Sequence, residues 1–125
     1  MGERTVASYW GYHLIIDAAG GDIAAVTNPE LIADFARTLV KDIDMIPYGE
    51  PQVVHFAEHK PEVAGYTLVQ LIQTSSITAH FVDCDGSAYI DVFSCKPFDA
   101  KVVKDLIQKY FKPASMREYF ITRQA

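Results

Sequence analysis

The chain predicts an α+β fold, a mostly antiparallel sheet with two helices packed on one face. Two kinds of pattern predict it. On either side of Asp85-Gly86, the stretch Leu71–Cys95 alternates its residues with the period of two that marks strands. Two other segments, one after Asn28-Pro29 and one after Asp99, repeat apolar residues at helical spacing behind a capping residue.

Taken in order, a first strand is predicted at Ala7–Ala18, ended by Gly20-Gly21. Asn28 is a good N-cap, and Pro29 suits the first helical turn, where a missing N–H costs nothing. Leu31, Ile32, Phe35, Ala36, Leu39, Val40 and Ile43 then share one face, with Glu30, Asp34, Arg37, Lys41 and Asp42 opposite. This is an amphipathic helix that covers a sheet. Pro47-Tyr48-Gly49 is expected to end it, ahead of a short strand at Gln52–Phe56. The polar segment Ala57–Gly65, with Pro61 inside it, reads as a loop. A strand at Tyr66–Gln73 leads into the hairpin. Asp99 caps a second helix with Val102, Val103, Leu106, Ile107 and Tyr110 as its buried stripe. Pro113 stops that helix, and Met116–Thr122 reads as the last strand.

At 125 residues the chain is long enough for one domain, spanning 1–125, and its 50% hydrophobic and 22% charged content is ordinary for a globular protein. A net charge of −5 argues against nucleic acid, whose phosphates call for clustered Lys and Arg. Lys101, Lys104, Lys109 and Lys112 do cluster, but they alternate with the buried stripe and read as a solvated helix face. No apolar run approaches the roughly 20 residues of a membrane span. MGERTVASYW lacks an apolar signal core, and Val6 stands where a myristoylation motif wants Ser or Thr. Cys84 and Cys95 therefore read as reduced thiols of a cytoplasmic protein. Neither they nor His13, His55, His59 and His80 show a metal-ligand spacing.

The hairpin carries the chemistry. With Asp85 and Gly86 as a two-residue type I′ turn, His80 faces Asp91 and Cys95 faces Ser76. Thr78, His80, Asp91, Phe93 and Cys95 then share one face, with Cys95 beside the pair Ser75-Ser76. A nucleophile, an imidazole and a thiol meet there. An ordinary hairpin whose His and Cys are core residues fits the same pattern.

The series Thr74-Ser75-Ser76-Ile77-Thr78-Ala79-His80, a short turn, then Asp91-Val92-Phe93-Ser94-Cys95, resembles the prokaryotic S-adenosylmethionine decarboxylase proenzyme family. Members cut themselves before a Ser, in a context like E-S-H-L-x-I-H-T, and carry D-V-F-T-C or a close variant on the following strand. Gly11-Tyr12-His13-Leu14 is similar to the family's early G-x-H-L strand. Three departures stand out. Thr74 replaces an acidic residue, Ser76 replaces a His, and Val82-Asp83-Cys84 replaces the common W-P-E, whose acidic residue helps to bind the substrate ribose.

The resemblance implies roles. Ser75 would be converted to a pyruvoyl group with cleavage between 74 and 75, with Ser76 the competing choice, though it has no His five residues on. His80 would take the Ser α-proton. The pyruvoyl carbonyl would form a Schiff base with the substrate amine and accept electrons as carbon dioxide leaves, so no added cofactor is needed. Cys95 would return a proton to the α-carbon; an unperturbed thiol titrates near 8.5, close enough to neutrality for the task. Thr67, eight residues before Ser75, stands where the family often has an active-site Ser, although strand propensity also explains it. Asp83 or Asp85 would take over the ribose contact, and Phe56 would stack on adenine or else pack in the core. Pairing of two protomers would cover the sheet's open face.

Three readings follow. The leading one is a self-processing decarboxylase of S-adenosylmethionine in polyamine (spermidine) synthesis. The altered Val82–Cys84 segment motivates a second, the same mechanism acting on ornithine or arginine. The third is an unprocessed regulatory homologue, against which the intact Ser75, His80 and Cys95 weigh.

Overall fold

The computed structural model describes residues 8–125. The Ala7 start predicted for the first strand, and most of the N-terminal stretch read for targeting signals, lie outside them. The strand β1 runs Gly11–Ala19 and ends at Gly20, whose φ of +67° suits glycine. A short helix that periodicity does not announce, α1 at Ile23–Val26, follows; Asp22 caps it by accepting the Ala24 N–H at 3.1 Å. Helix α2 is Pro29–Asp42, with Asn28 accepting the Leu31 N–H at 3.2 Å. Strands β2 (Pro47–Phe56), β3 (Gly65–Ile72), β4 (Ser75–Val82) and β5 (Ala88–Ser94) come next. Helix α3 is Ala100–Phe111, capped by Asp99 on the Lys101 N–H at 2.9 Å and stopped at Lys112, which takes the left-handed conformation ahead of Pro113. Strand β6, Ser115–Arg123, closes the chain.

The six strands form one sheet in the order β2-β3-β4-β5-β1-β6, each neighbouring pair antiparallel. The N-terminal strand β1 is thus inserted between the two C-terminal strands β5 and β6. One face is the core: Leu14, Ile16, Leu68, Ile77, Phe81, Ile90 and Val92 pack with Ile32, Phe35 and Leu39 of α2 and Val103, Ile107 and Phe111 of α3. The ring of Phe111 lies 5.0 Å from Phe35 and 4.9 Å from Phe81, joining both long helices to the sheet. Burial of each such ring contributes about 1.5–3 kcal/mol. The α+β class with helices on one face stands, with α1 as a third helix.

Two expectations are corrected. Pro47-Tyr48-Gly49 does not end the helix, which is over at Asp42; those residues already belong to β2. An edge strand tolerates proline because it needs no donor on its outer side, and the register shift between Tyr48 and Gln52 absorbs the irregularity. The second concerns the hairpin turn. Ser75 pairs with Ser94 and His80 with Tyr89, so the register is offset by two residues from the two-residue turn. The connection has four residues, 83–86, closed by Val82 N–H to Ser87 O at 2.8 Å. Asp85 lacks the positive φ that a type I′ turn demands; its side chain instead accepts the Ser87 N–H at 2.9 Å. An even offset keeps every side chain on its expected face.

Gly65 marks the tightest approach in the sheet: a Cβ there would lie 1.6 Å from the carbonyl oxygen of Phe81. Gly65→Ala, placed in a Ser75→Ala chain so that one polypeptide unfolds, is expected to cost about 3 kcal/mol or more. A urea midpoint unchanged from that of Ser75→Ala would refute this.

Candidate active site

The turn Gln73-Thr74 joins β3 to β4, with Ile72 paired to Ser75 across it. The peptide bond between Thr74 and Ser75 is held from several sides. The Cys95 N–H donates to the Thr74 carbonyl oxygen at 3.1 Å. The hydroxyl of Ser94, fully buried, donates to Thr74 Oγ1 at 2.8 Å and accepts the Lys96 N–H at 2.9 Å. The Thr74 hydroxyl donates in turn to Met45 Sδ at 3.3 Å. Lys96 Nζ reaches Asp44 Oδ2 at 3.0 Å, tying the strand after Ser94 to the chain after α2. Ser75 is half-buried on the core-side parity of β4, and Cys95 is exposed beside it.

The remaining predicted residues gather at the other end of β4. His80 pairs with Thr67, and its Nδ1 lies 2.9 Å from Thr67 Oγ1. Its Nε2 donates to the Val63 carbonyl oxygen at 2.7 Å. Phe56, 52% exposed, ends β2 opposite Gly65, which itself faces Val82. Asp83 follows directly, with Oδ2 2.6 Å from His55 Nε2 and Oδ1 buried with no hydrogen-bond partner. His55 Nδ1 contacts Glu58 Oε2 at 3.0 Å, so the imidazole sits between two carboxylates. The hydrogen bond that His55 donates to Asp83 chiefly, and that to Glu58, raise the His55 pKa above its usual value against the opposing effect of desolvation.

One protomer therefore sets Ser75 and Cys95 close along neighbouring strands but with side chains of opposite parity, and separately gathers His80, Thr67, Asp83 and Phe56 at the far end of β4. It does not bring the two groups together. Cys95 lies across from Thr74 rather than Ser76, and Asp91 faces Thr78 rather than His80. Five residues separate His80 from Ser75 along one strand, a span of roughly 16 Å, with the two side chains on opposite faces.

Sequence reading passed over His55, Val63, Met45, Ser94 and Lys96 as site residues. None carries a local signal, since each meets its partner through a long-range pairing; His55 and Asp83 are 28 residues apart. The open face also holds His13, whose Nε2 lies 2.9 Å from Asp91 Oδ1. Leu71, Tyr89, Tyr119 and Ile121 on the same face are 44–49% exposed. No cluster of side chains that could hold a metal ion, and no helix long and apolar enough to cross a membrane, occurs among the described residues.

The sequence model of a family described as S-adenosylmethionine decarboxylase matches residues 12–124. S-adenosylmethionine decarboxylase proenzymes of Clostridium botulinum strains Langeland and Okra are each 30% identical to the chain over 113 residues, covering 88% of it and 92% of the relative. The crystal structure of the adenosylmethionine decarboxylase from Aquifex aeolicus VF5 has the same fold, with a TM-score of 0.79 at 24% identity over 95% of this chain and 94% of that one.

Proposed function

Because the chain belongs to the S-adenosylmethionine decarboxylase family, we propose that it is a self-cleaving S-adenosylmethionine decarboxylase. It cuts itself between Thr74 and Ser75 and supplies the aminopropyl donor for spermidine synthesis. The observation that carries the self-cleavage is the Cys95 N–H on the Thr74 carbonyl oxygen at 3.1 Å.

Ser75 Oγ attacks the Thr74 carbonyl carbon. The C–O bond forms, the C–N bond breaks, and the hydroxyl proton passes to the freed amine, leaving an ester. The negative charge that grows on the carbonyl oxygen faces the Cys95 N–H, a donor of the kind worth about 10²–10³ in rate. A base then removes the Ser75 α-proton. The Cβ–Oγ bond breaks, Thr74 leaves as a carboxylate, and the dehydroalanine at 75 takes up water and releases ammonia. A half-buried Ser beside a polarised carbonyl fits formation of a pyruvoyl group. That group supplies an electron sink for decarboxylation without an added cofactor. The exposed Cys95 Sγ, next to this position, returns a proton to the substrate α-carbon.

The distance along β4 bears on the base. A protomer's own His80 does not reach its Ser75, so we assign the proton transfer to His80 of the partner subunit in a homodimer. We place the partner on the open face, where His80, Tyr89, Tyr119 and Ile121 lie, so that its His80 approaches the Ser75 α-carbon from the face opposite the Ser75 side chain. The partner subunit's Thr67, Asp83 and Phe56 then complete the substrate site around Ser75 and Cys95. The cytoplasm suits the two free thiols.

The substrate is tested by carbon dioxide release from carboxyl-labelled S-adenosylmethionine, ornithine and arginine on fully processed protein. Release from S-adenosylmethionine alone is expected. Turnover of ornithine or arginine instead would leave the cleavage mechanism standing and replace the substrate. The hydrogen bond of His55 to Asp83 Oδ2, which occupies one of the two carboxylate oxygens, is the observation that favours that second reading.

A further inference from the structure

His80 is engaged at both ring nitrogens, and the two partners are not equivalent. The Val63 carbonyl can only accept, so the proton resides on Nε2. Nδ1 then holds the lone pair and accepts a hydrogen bond from the Thr67 hydroxyl. A backbone carbonyl thus plays the orienting part that a carboxylate plays in many histidine bases. Val63 belongs to the loop 57–64, and this loop is tied down at both ends. At its far end the Val63 and Ala64 N–H groups donate to Lys60 O, and the Asp83 N–H donates to Ala64 O at 2.9 Å. At its near end Ala57 has a φ of 62°, a left-handed conformation that a non-glycine residue takes only when held. His55 does the holding from β2, reaching Glu58 in the loop and Asp83 in the β4–β5 connection at once.

We propose that residues 57–64 form a positioning loop for His80, and that His55, gripping Glu58 and Asp83 together, sets the place of the Val63 carbonyl. The proton is thereby kept on Nε2 and the lone pair on Nδ1, toward Thr67. This rests on the reading of His80 as the base of self-cleavage. His55 is a positioning residue and touches no reacting atom.

The clamp is pH-dependent. The groups facing His55 are the Glu58 and Asp83 carboxylates and, edge-on with ring centroids 4.8 Å apart, the ring of Tyr66. Its pKa is raised in the folded chain. The two-sided grip is therefore complete below the unfolded value of about 6.5, and one of its two N–H donors is lost as pH rises through the higher folded value. Cleavage is therefore expected to decline as pH rises and His55 loses its proton.

Two measurements test this. Self-cleavage followed by intact mass across pH is expected to show a descending limb at high pH in the wild type. In His55→Gln the descending limb should disappear and the best rate fall by roughly tenfold. Separately, in Ser75→Ala protein with ¹⁵N-labelled histidine, neutral His80 should show the Nε2–H tautomer. Adding His55→Gln should give a mixture of the two tautomers with the thermal midpoint still cooperative. A His55→Gln chain that cleaves with the wild-type profile, or an Nδ1–H tautomer in Ser75→Ala, overturns the inference. Failure of the underlying reading looks different: His80→Ala would cleave at the wild-type rate while the His80 tautomer still responded to His55.

Discussion

Ser75→Ala is expected to remain one unbroken 125-residue chain without decarboxylase activity. The wild type should yield a fragment 1–74 and a second one with a blocked N-terminus. Loss of the hydroxyl removes the nucleophile for the acyl shift and, with it, the only precursor of the electron sink. Carbon dioxide release should fall by at least about a millionfold, the low end of enzymic acceleration over background. Ala keeps the Cβ that packs opposite Ser94, so the fold survives and the thermal midpoint reports it. Ser76→Ala should still cleave. Ser76 lies on the other face, opposite Phe93, one residue beyond the carbonyl that Cys95 polarises. Cleavage of Ser75→Ala, or loss of cleavage in Ser76→Ala alone, would move the scissile bond by one residue. A wild type that stays whole after long native incubation would favour the unprocessed regulatory homologue.

The second large effect is complementation. His80→Ala alone should process about 10²–10⁴-fold more slowly, the typical loss of a general base. Its trapped ester should be cleavable by hydroxylamine between 74 and 75. Ser75→Ala alone should not process at all. Chains of both kinds, unfolded and refolded together, should form mixed dimers in which Ser75 of one variant meets the intact His80 of the other. A two-fold interface builds two equivalent sites, so each mixed dimer holds one competent site. Random pairing should then cut roughly half of the His80→Ala chains at the wild-type rate. Persistent absence of cut chains, in a mixture shown to contain mixed dimers, would place the base within a single protomer.

Much of this was legible because the strongest signals are local. Asn28-Pro29 and Asp99 cap helices where a side chain three or fewer residues away supplies the acceptor, which is a matter of sequence alone. The face of every β4–β5 residue was readable too, since a slip by an even number leaves parity intact. The turn differs from the expected two-residue form. Asp-Gly is the best two-residue hairpin signal, but Val82 pairs with Ser87, and that choice is made by the whole ladder from Ser75 to Ser94. The helix α1 spans one turn, too short for a period to show. Of the candidate site, Ser75 with Cys95 and Thr67 with His80 follow from neighbouring strands. The separation of these two pairs follows from the length and pleat of β4. His55 on Asp83 depends on β2 lying beside β3, a pairing that no short motif announces.

The strand order has a consequence for the life of the molecule. A cut between 74 and 75 would leave the N-terminal piece with β1, β2 and β3 and the C-terminal piece with β4, β5 and β6. Because the order is β2-β3-β4-β5-β1-β6, the two pieces are woven through one another: β1 is flanked on both sides by strands of the other piece. They cannot part by sliding at one seam; separation means dismantling the sheet. Before the cut, every strand finds its place within one chain, and closing those loops costs entropy that grows only slowly with their length. Afterwards the same encounter is bimolecular, and stability depends on concentration. A chain cut there would assemble once as a single thread and then sever the route by which it arrived. Its active form would be maintained by the slowness of its unfolding rather than by an ability to refold.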